Sequence, residues 1–380
     1  MSSLSRLRGL FVNNPSLKSK TNILKSVSAD KNPLKKETDF QNMVNKFKEL
    51  SDSYIFRKRR VVYEATVRRL AKAKKFSMIE EILEAQKKYK DMSSEGFVIR
   101  LISLYGKAGL FDHARNVFDE MPQFNCERTV RSFNTLLTAC FNSQKFDKVV
   151  EIFREVPSKI SVEVDVVSYN IVIHAFCEMG SLDLAMSMFD EIEKNGIEPS
   201  LVTFDTLLEA FYKNGRHMDG EKIWASMESK NVDPNIRCYN SRLRGMVSDN
   251  RLPKAVELID EMRQKGIKPD VFSFNALIKG FCEDERMEEA KHWYNELRKN
   301  DCNPDQVTYM TIVPFLCNEG DLDMATELCK EAISHRLLSH VEVLKCGVDG
   351  LLKEGKIEEA KKLVELGKSK KYQIDFSLGN

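Results

Sequence analysis

One period governs this chain. Tyr169, Phe204, Tyr239, Phe274 and Tyr309 follow one another at 35-residue steps, and Phe133 stands 36 residues before Tyr169. The neighbours repeat with them: Ser132-Phe133-Asn134, Ser168-Tyr169-Asn170, Thr203-Phe204-Asp205, Cys238-Tyr239-Asn240, Ser273-Phe274-Asn275 and Thr308-Tyr309-Met310. A fixed period of roughly 20–50 residues marks an array of small stacked units, not one central core. Extending the register divides 60–375 into 60–94, 95–129, 130–165, 166–200, 201–235, 236–270, 271–305, 306–340 and 341–375. The third unit alone is one residue longer, and Lys159–Val164 is the expected loop that takes up the extra residue.

The pattern within a unit predicts two helices. Tyr169, Val172, Ile173 and Phe176 are apolar at steps of three and four, the spacing of one helix face. Gly109, Gly180, Gly215, Gly320 and Gly355 mark the turn that follows. Glycine there supplies a left-handed C-terminal cap. The second helix carries a small residue at one place: Ala114, Ala185, Gly220, Ala255, Ala290, Ala325 or Ala360. Bulky Phe118, Phe153, Phe189, Trp224 and Tyr294 come three or four residues later, then Met121, Met227 or Met262. Pro199, Pro234, Pro269 and Pro304 are expected to stop that helix and set up the next unit. Each pair has an apolar face it cannot bury alone, so neighbouring units must stack into a superhelix.

Composition narrows the class. Hydrophobic residues make up 42% and charged residues 31% of 380, a folded rather than disordered balance. No apolar run approaches the ~20 residues of a membrane span. Nine Cys, none in a C-x-x-C pair, do not form a disulfide scaffold or zinc site.

Charge is uneven. Residues 1–59 hold thirteen Lys and Arg against five Asp and Glu, a net of +8, so with +2 overall the remainder carries −6. Such a body does not grip nucleic acid by bulk charge. Before Asp30, the first acid, stand Arg6, Arg8, Lys18, Lys20, Lys25 and seven serines, with Leu4, Leu7 and Phe11 at helical spacing. Basic, Ser-rich and acid-free is the composition of a transit peptide. Residues 1–29 are read as that leader, to the mitochondrial matrix before the chloroplast because of the early arginines, 30–59 as a basic linker and 376–380 as a tail.

Val167-Ser168-Tyr169-Asn170 and the run Ala255…Ile259-Asp260-Glu261-Met262…Gly266-Ile267-Lys268-Pro269-Asp270 closely resemble the pentatricopeptide repeat. The likeness is strong over 130–305 and weaker at 60–129 and 306–375. Tetratricopeptide arrays differ in their 34-residue period and lack the Pro-Asp unit ends. The resemblance implies an all-α, right-handed superhelical solenoid of about nine helix-turn-helix repeats that binds single-stranded RNA in an organelle.

It also implies where bases are read: the fifth residue of the first helix and the last residue of the unit, one base per unit. Here these are Asn134 with Asp165, Asn170 with Ser200, Asp205 with Asn235, Asn240 with Asp270, and Asn275 with Asp305. An Asn amide both donates and accepts, matching a pyrimidine edge. The family's pairing implies 5′-U-C-x-U-U-3′, with the Asp205 unit unassigned. The same residue types have another use, since Asn at a helix start is a cap and Asp beside Pro begins turns. The second residues of the units, Arg131, Val167, Val202, Arg237, Phe272 and Val307, would sandwich the bases; the alternative is packing between units. The outer pairs, Glu64 with Ser94, Ile99 with Thr129, Met310 with His340 and Lys345 with Asp375, depart from the pattern.

A second candidate is electrostatic. Arg57, Lys58, Arg59, Arg60, Arg68, Arg69, Lys72, Lys74 and Lys75 crowd one segment with Glu64 the only acid. This is a candidate phosphate-binding stretch, or else a solvated basic face. Enzyme motifs are absent. Gly350 to Lys356 imitates a P-loop, but Ile357 replaces the magnesium-binding Ser or Thr and no strand precedes it. The six His are scattered, with no set for zinc deamination, and no deaminase-like tail is expected after the last unit. No catalytic residue, cofactor, metal, membrane or small-molecule substrate is expected. A short array of this type with a basic N-terminus resembles the pentatricopeptide proteins of the plant mitochondrial ribosome, which implies an RNA-binding component of its small subunit that contacts rRNA and ribosomal proteins. The alternatives are a free factor for one organellar transcript and a protein scaffold.

Overall fold

The computed structural model describes residues 32–335 and 341–370. The expected leader 1–29, the unit ends His340 and Asp375, and the tail 376–380 lie outside the described residues. The chain is all-α, with no strand among the described residues. First helices run Arg60–Lys72, Glu95–Lys107, Val130–Asn142, Val166–Glu178, Leu201–Lys213, Ile236–Ser248, Val271–Glu283, Gln306–Asn318 and Glu342–Lys353, and each is followed by a second helix. The chain divides into two compact units between Glu198 and Pro199. Within each, a first helix packs on its own second helix and on the next first helix.

The core is the repeated apolar face. Tyr169, Tyr239 and Tyr309 are almost wholly buried, and so are Phe133, Phe204 and Phe274. The small positions Ala114, Ala185, Ala255, Ala290, Ala325 and Ala360 are sealed between helices. At Gly220 even a Cβ would come within 2.7 Å of the Tyr212 ring.

The turn between paired helices is left-handed in all nine pairs among the described residues. Gly109, Gly180, Gly215, Gly320 and Gly355 adopt it at φ of 71–84°. Lys74, Gln144, Asn250 and Glu285 occupy the same place at φ of 53–57°. Side chains pay a steric cost there that glycine does not, so the stacking of the pair dictates the turn and the residue complies.

Three expectations are corrected. Residues 32–59 are not a linker: they carry helices Phe40–Ser51 and Tyr54–Arg57. Met43, Val44, Phe47 and Leu50 bury one stripe, and the longer helix packs on Phe76–Glu84. Phe47 meets Phe56 and Tyr63 edge-on at ring distances of 5.3 and 4.7 Å. The end of an array exposes an apolar face that a terminal cap must cover. Second, the helices Leu182–Lys194, His217–Ser229, Leu252–Gln264 and Met287–Lys299 stop at a left-handed turn before Pro199, Pro234, Pro269 and Pro304 are reached. Those prolines sit just before the N-cap of the next first helix, the place from which they set up the next unit. Third, the long unit takes up part of its length by extending its second helix, Phe146–Ile160, through Pro157. Lys159 and Ile160 are therefore helical.

Candidate nucleic-acid interface

The N-cap residues are set by local chemistry. Asp165, Asp270 and Asp305 each stand in extended conformation before a first helix and accept from its N3 backbone N–H in a capping box with Ser168, Ser273 or Thr308. The cap reading of these aspartates is thus correct, and the same atoms do more. Asn134 Nδ2 donates to Asp165 Oδ1 at 2.9 Å, and Ser168 Oγ donates to Asn134 Oδ1 at 2.6 Å. Asn240 repeats this with Asp270 at 3.1 Å and Ser273 at 2.6 Å. Asn275 repeats it with Asp305 at 3.0 Å and Thr308 at 2.7 Å.

Each amide is therefore oriented without ambiguity, nitrogen to the carboxylate and oxygen to the hydroxyl. An amide has two donors and two acceptor sites. One of each is engaged, which leaves one donor and one acceptor directed away from the cap. The three asparagines are buried to within 9% of their surface, so an incoming edge meets a fixed partner.

Asp205 breaks the series. Cys238 stands where the hydroxyl donor should be, its Sγ 4.0 Å from Asp205 Oδ1. Asn235 is a pure cap, accepting from the N–H groups of Arg237 and Cys238. Asp205 pairs instead with Arg237, Nε to Oδ2 at 3.1 Å. Burial raises its carboxyl above the usual range while Arg237 opposes the shift. Asn170 occupies the same helix position in the first compact unit. Ser200 caps the helix Leu201–Lys213 in the second.

The second residues of the units point outward. Val167, Val202, Phe272 and Val307 are among the most exposed large apolar side chains, and the Arg131 and Arg237 side chains are 74% and 68% exposed. Two grooves collect these positions. One, of about 660 Å³, lies in the second compact unit and is lined by Arg237, Asn240, Asp270, Phe272, Asn275 and Val307. The other, of about 370 Å³, lies in the first compact unit and includes Arg60, Glu64, Ile99, Asn134 and Val167.

The structure also adds residues that the sequence reading missed. Lys213, Arg244 and Lys279 line the larger groove, and Arg100 lines the smaller. Arg237, Asn240, Ser241, Arg244 and Ser248 recur at helical steps along one face, so extending the face beyond the fifth residue would have found Arg244.

The basic segment divides. Arg57 is corrected: it is buried, pairs with Asp91 at 2.8 Å, donates to the carbonyls of Ser51 and Asp52, and lies 4.2 Å from the Tyr89 ring centroid. It is structural because a buried guanidinium needs its donors satisfied. Arg69 likewise donates to the carbonyls of Leu34 and Glu37, tying down the N-terminal cap. Arg59 is half-buried, while Lys58, Arg60, Arg68, Lys72, Lys74 and Lys75 are exposed. Lys58 lies over Tyr54, and Arg60 pairs with Glu64 at 3.1 Å. Arg68 and Lys72 occupy the same helix positions as Arg244 and Ser248 of the larger groove. Among the described residues no cluster of His, Cys, Asp or Glu is arranged to hold a metal.

The PPR repeat family model matches residues 164–213, 199–248, 234–283 and 269–318, and its single-repeat model matches 100–126 and 131–159. Together these cover more than half of the chain, which belongs to the pentatricopeptide repeat family. The small ribosomal subunit protein mS79 (rPPR3b) of Arabidopsis thaliana is 55% identical over 161 residues, 42% of this chain and 41% of that protein. The small ribosomal subunit protein mS78 (rPPR3a) of the same plant is 51% identical over 171 residues, 45% of this chain and 41% of that protein. The chain thus spans about two fifths of the length of these curated relatives. The crystal structure of the pentatricopeptide repeat protein PPR10 in complex with an 18-nt psaJ RNA element is similar at 20% identity and a TM-score of 0.49, over 88% of this chain and 54% of that one.

Proposed function

We propose that this chain is a mitochondrial RNA-binding protein of the small ribosomal subunit that holds single-stranded RNA through the faces of its first helices. The observation that carries the reading is the thrice-repeated Asn–Asp–Ser/Thr set, which presents one donor and one acceptor per unit beside an exposed stacking residue. That combination suits a base edge better than a protein surface. The likeness to mS79 and mS78 supports the ribosomal setting and the mitochondrial location. Ribosomal RNA and neighbouring ribosomal proteins are then its partners. Arg60, Arg68 and Lys72 supply phosphate contacts.

Purified protein and labelled oligonucleotides test this. Changing Arg60, Arg68 and Lys72 to Gln should weaken binding to every RNA alike and flatten its salt dependence, because fewer counterions are released. Changing Asn240 and Asn275 to Ala should leave the salt slope and reduce preference for oligouridylate over oligoadenylate. Each lost hydrogen bond is worth about 1 kcal/mol net, so a several-fold loss is expected. Wild-type protein that binds neither oligonucleotide removes RNA from the account and favours a protein scaffold. Co-sedimentation with small ribosomal subunits from mitochondrial lysate in high salt tests the setting.

A further inference from the structure

The joints between consecutive first helices of the second compact unit share one register. The twelfth residue of a repeat lies against a glycine at the tenth place of the next. A Cβ on Gly245 would come within 2.2 Å of Tyr212, and one on Gly280 within 2.8 Å of Val247. A Cβ on Gly350 would lie 3.5 Å from both the Cβ and the Sγ of Cys317. The sixth residue stands one helical turn before that glycine, on the same face. It is Ser241 in the joint with Tyr212, Ala276 in the joint with Val247, and Cys346 in the joint with Cys317. The packing of Gln306–Asn318 on Glu342–Lys353 thus brings two thiols together.

The pair has an open side and a closed side. Tyr212 with Ser241, and Val247 with Ala276, line the larger groove. Cys317 and Cys346 hold the same two places in their joint and are half-buried, so a small solute reaches them from that wall. Behind them Cys329 is wholly buried. Its Sγ donates to the Val343 carbonyl at 3.7 Å and would lie 2.8 Å from a Cβ on Gly347. The three sulfurs are not arranged to share a metal ion. The Cys317 thiol interacts directly with Cys346, and burial first, then that neighbour, pushes it up to about 12.

We propose that Cys317 and Cys346 are a redox-active dithiol, which a hydroperoxide converts to a disulfide joining the first helices of 306–340 and 341–375. The proposal stands apart from RNA binding. Because Cys317 is held as the thiol, the first step falls to Cys346. Its thiolate attacks one oxygen of hydrogen peroxide, the O–O bond breaks, and the departing hydroxide takes up the proton that Cys346 released, leaving as water. Cys346 is then a sulfenic acid. The Cys317 sulfur displaces its hydroxyl, which leaves with the Cys317 proton as a second water. Two sulfurs are oxidised and one peroxide is reduced. Cys329 takes no part, since a thiol sealed in apolar surroundings is inert. A repeat is held by its neighbours, so the covalent link fastens 341–375 to the unit before it and constrains the unfolded chain.

The test treats the reduced full chain with hydrogen peroxide and maps its peptides by mass spectrometry without reductant. A peptide linking Cys317 to Cys346 should appear and vanish on addition of dithiothreitol. Thiol titration of the unfolded protein should fall from the nine free cysteines of the chain by the two that one bond consumes. The oxidised protein should melt at a higher temperature than the reduced one. Cys346→Ser and Cys317→Val place in this joint the residues that Ser241 and Val247 already supply in theirs, so both variants should fold. In each, peroxide should leave the melting temperature unchanged and form no linked peptide. A bond that uses Cys329, a bond between two molecules, oxidation of Cys317 or Cys346 without a link, or a link that leaves the melting temperature where it was would each overturn the proposal.

Discussion

At the scale of single residues, one carboxylate both caps a helix and orients an amide of the preceding unit. Asp270 Oδ1 accepts from the N–H groups of Phe272 and Ser273, and also from Asn240 Nδ2. A carboxylate at a helix N-terminus is favoured by the unpaired N–H groups and the helix dipole. Once fixed there, it is an ideal rail for the amide of the preceding unit. Removing it should therefore show in two measurements. Asp270→Ala should lower stability in denaturant titration by about 1–2 kcal/mol, the cost of a lost cap. It should also reduce the preference for oligouridylate, because Asn240 loses its orienting acceptor. An unaltered preference would separate the cap from the reading function.

At the scale of elements, the joint between the pairs Leu201–Lys213/His217–Ser229 and Ile236–Ser248/Leu252–Gln264 is polar as well as apolar. The Tyr212 ring fills a space that two glycines leave open. A Cβ on Gly245 would lie 2.2 Å from Tyr212 Cδ1. The Tyr212 hydroxyl donates to Glu221 at 2.9 Å, and Arg242 donates to the same carboxylate at 2.7 and 3.3 Å while lying over Trp224. Burial alone would raise the Glu221 carboxyl, but the bonds from Arg242 and Tyr212 outweigh it and hold the group below the ordinary carboxylate value of 4.5. A depressed carboxylate contributes stability above its unfolded value and loses it as pH falls through the folded one. Wild-type protein should thus lose thermal stability below about pH 4.5. Glu221→Gln should be less stable at pH 7, and its deficit should shrink as the solution is acidified. A deficit constant with pH would mean that the carboxylate charge contributes nothing to the joint.

For the whole molecule, the N-terminal segment is part of the fold. The helix Phe40–Ser51 buries Met43, Val44 and Phe47 completely, and Arg69 ties its approach to the first repeat helix through the carbonyls of Leu34 and Glu37. Stability in a repeat array is shared between neighbours, and the end units need a cap. Phe47→Ala should destabilise the protein by about 3–5 kcal/mol, the usual cost of deleting a buried aromatic ring. The loss should concentrate in the first compact unit, and hydrogen exchange should show its amides opening before those of 201–305. Uniform protection across both compact units would mean that the cap does not govern this end.

The sequence by itself determined the period, the helical pairs, the small positions between them and the exposed second residues of the units, because stacking like units forces the same side chain into the same environment every 35 residues. Position within the repeat thus stands in for position in space. Tertiary structure alone decided what the repeat register does not encode. Arg57 reads as one more cation in a basic run, yet burial against Asp91 and Tyr89 makes it structural. The apolar stripe of Phe40–Ser51 falls outside the period and is hidden among lysines, so only its partner Phe76–Glu84 reveals it as a cap. Asp205 holds the same place in its helix as Asn240 and Asn275, yet Arg237, one unit further along, is bonded to it. Each of these depends on contacts between residues of different units, whose energies follow distance and burial instead of spacing along the chain.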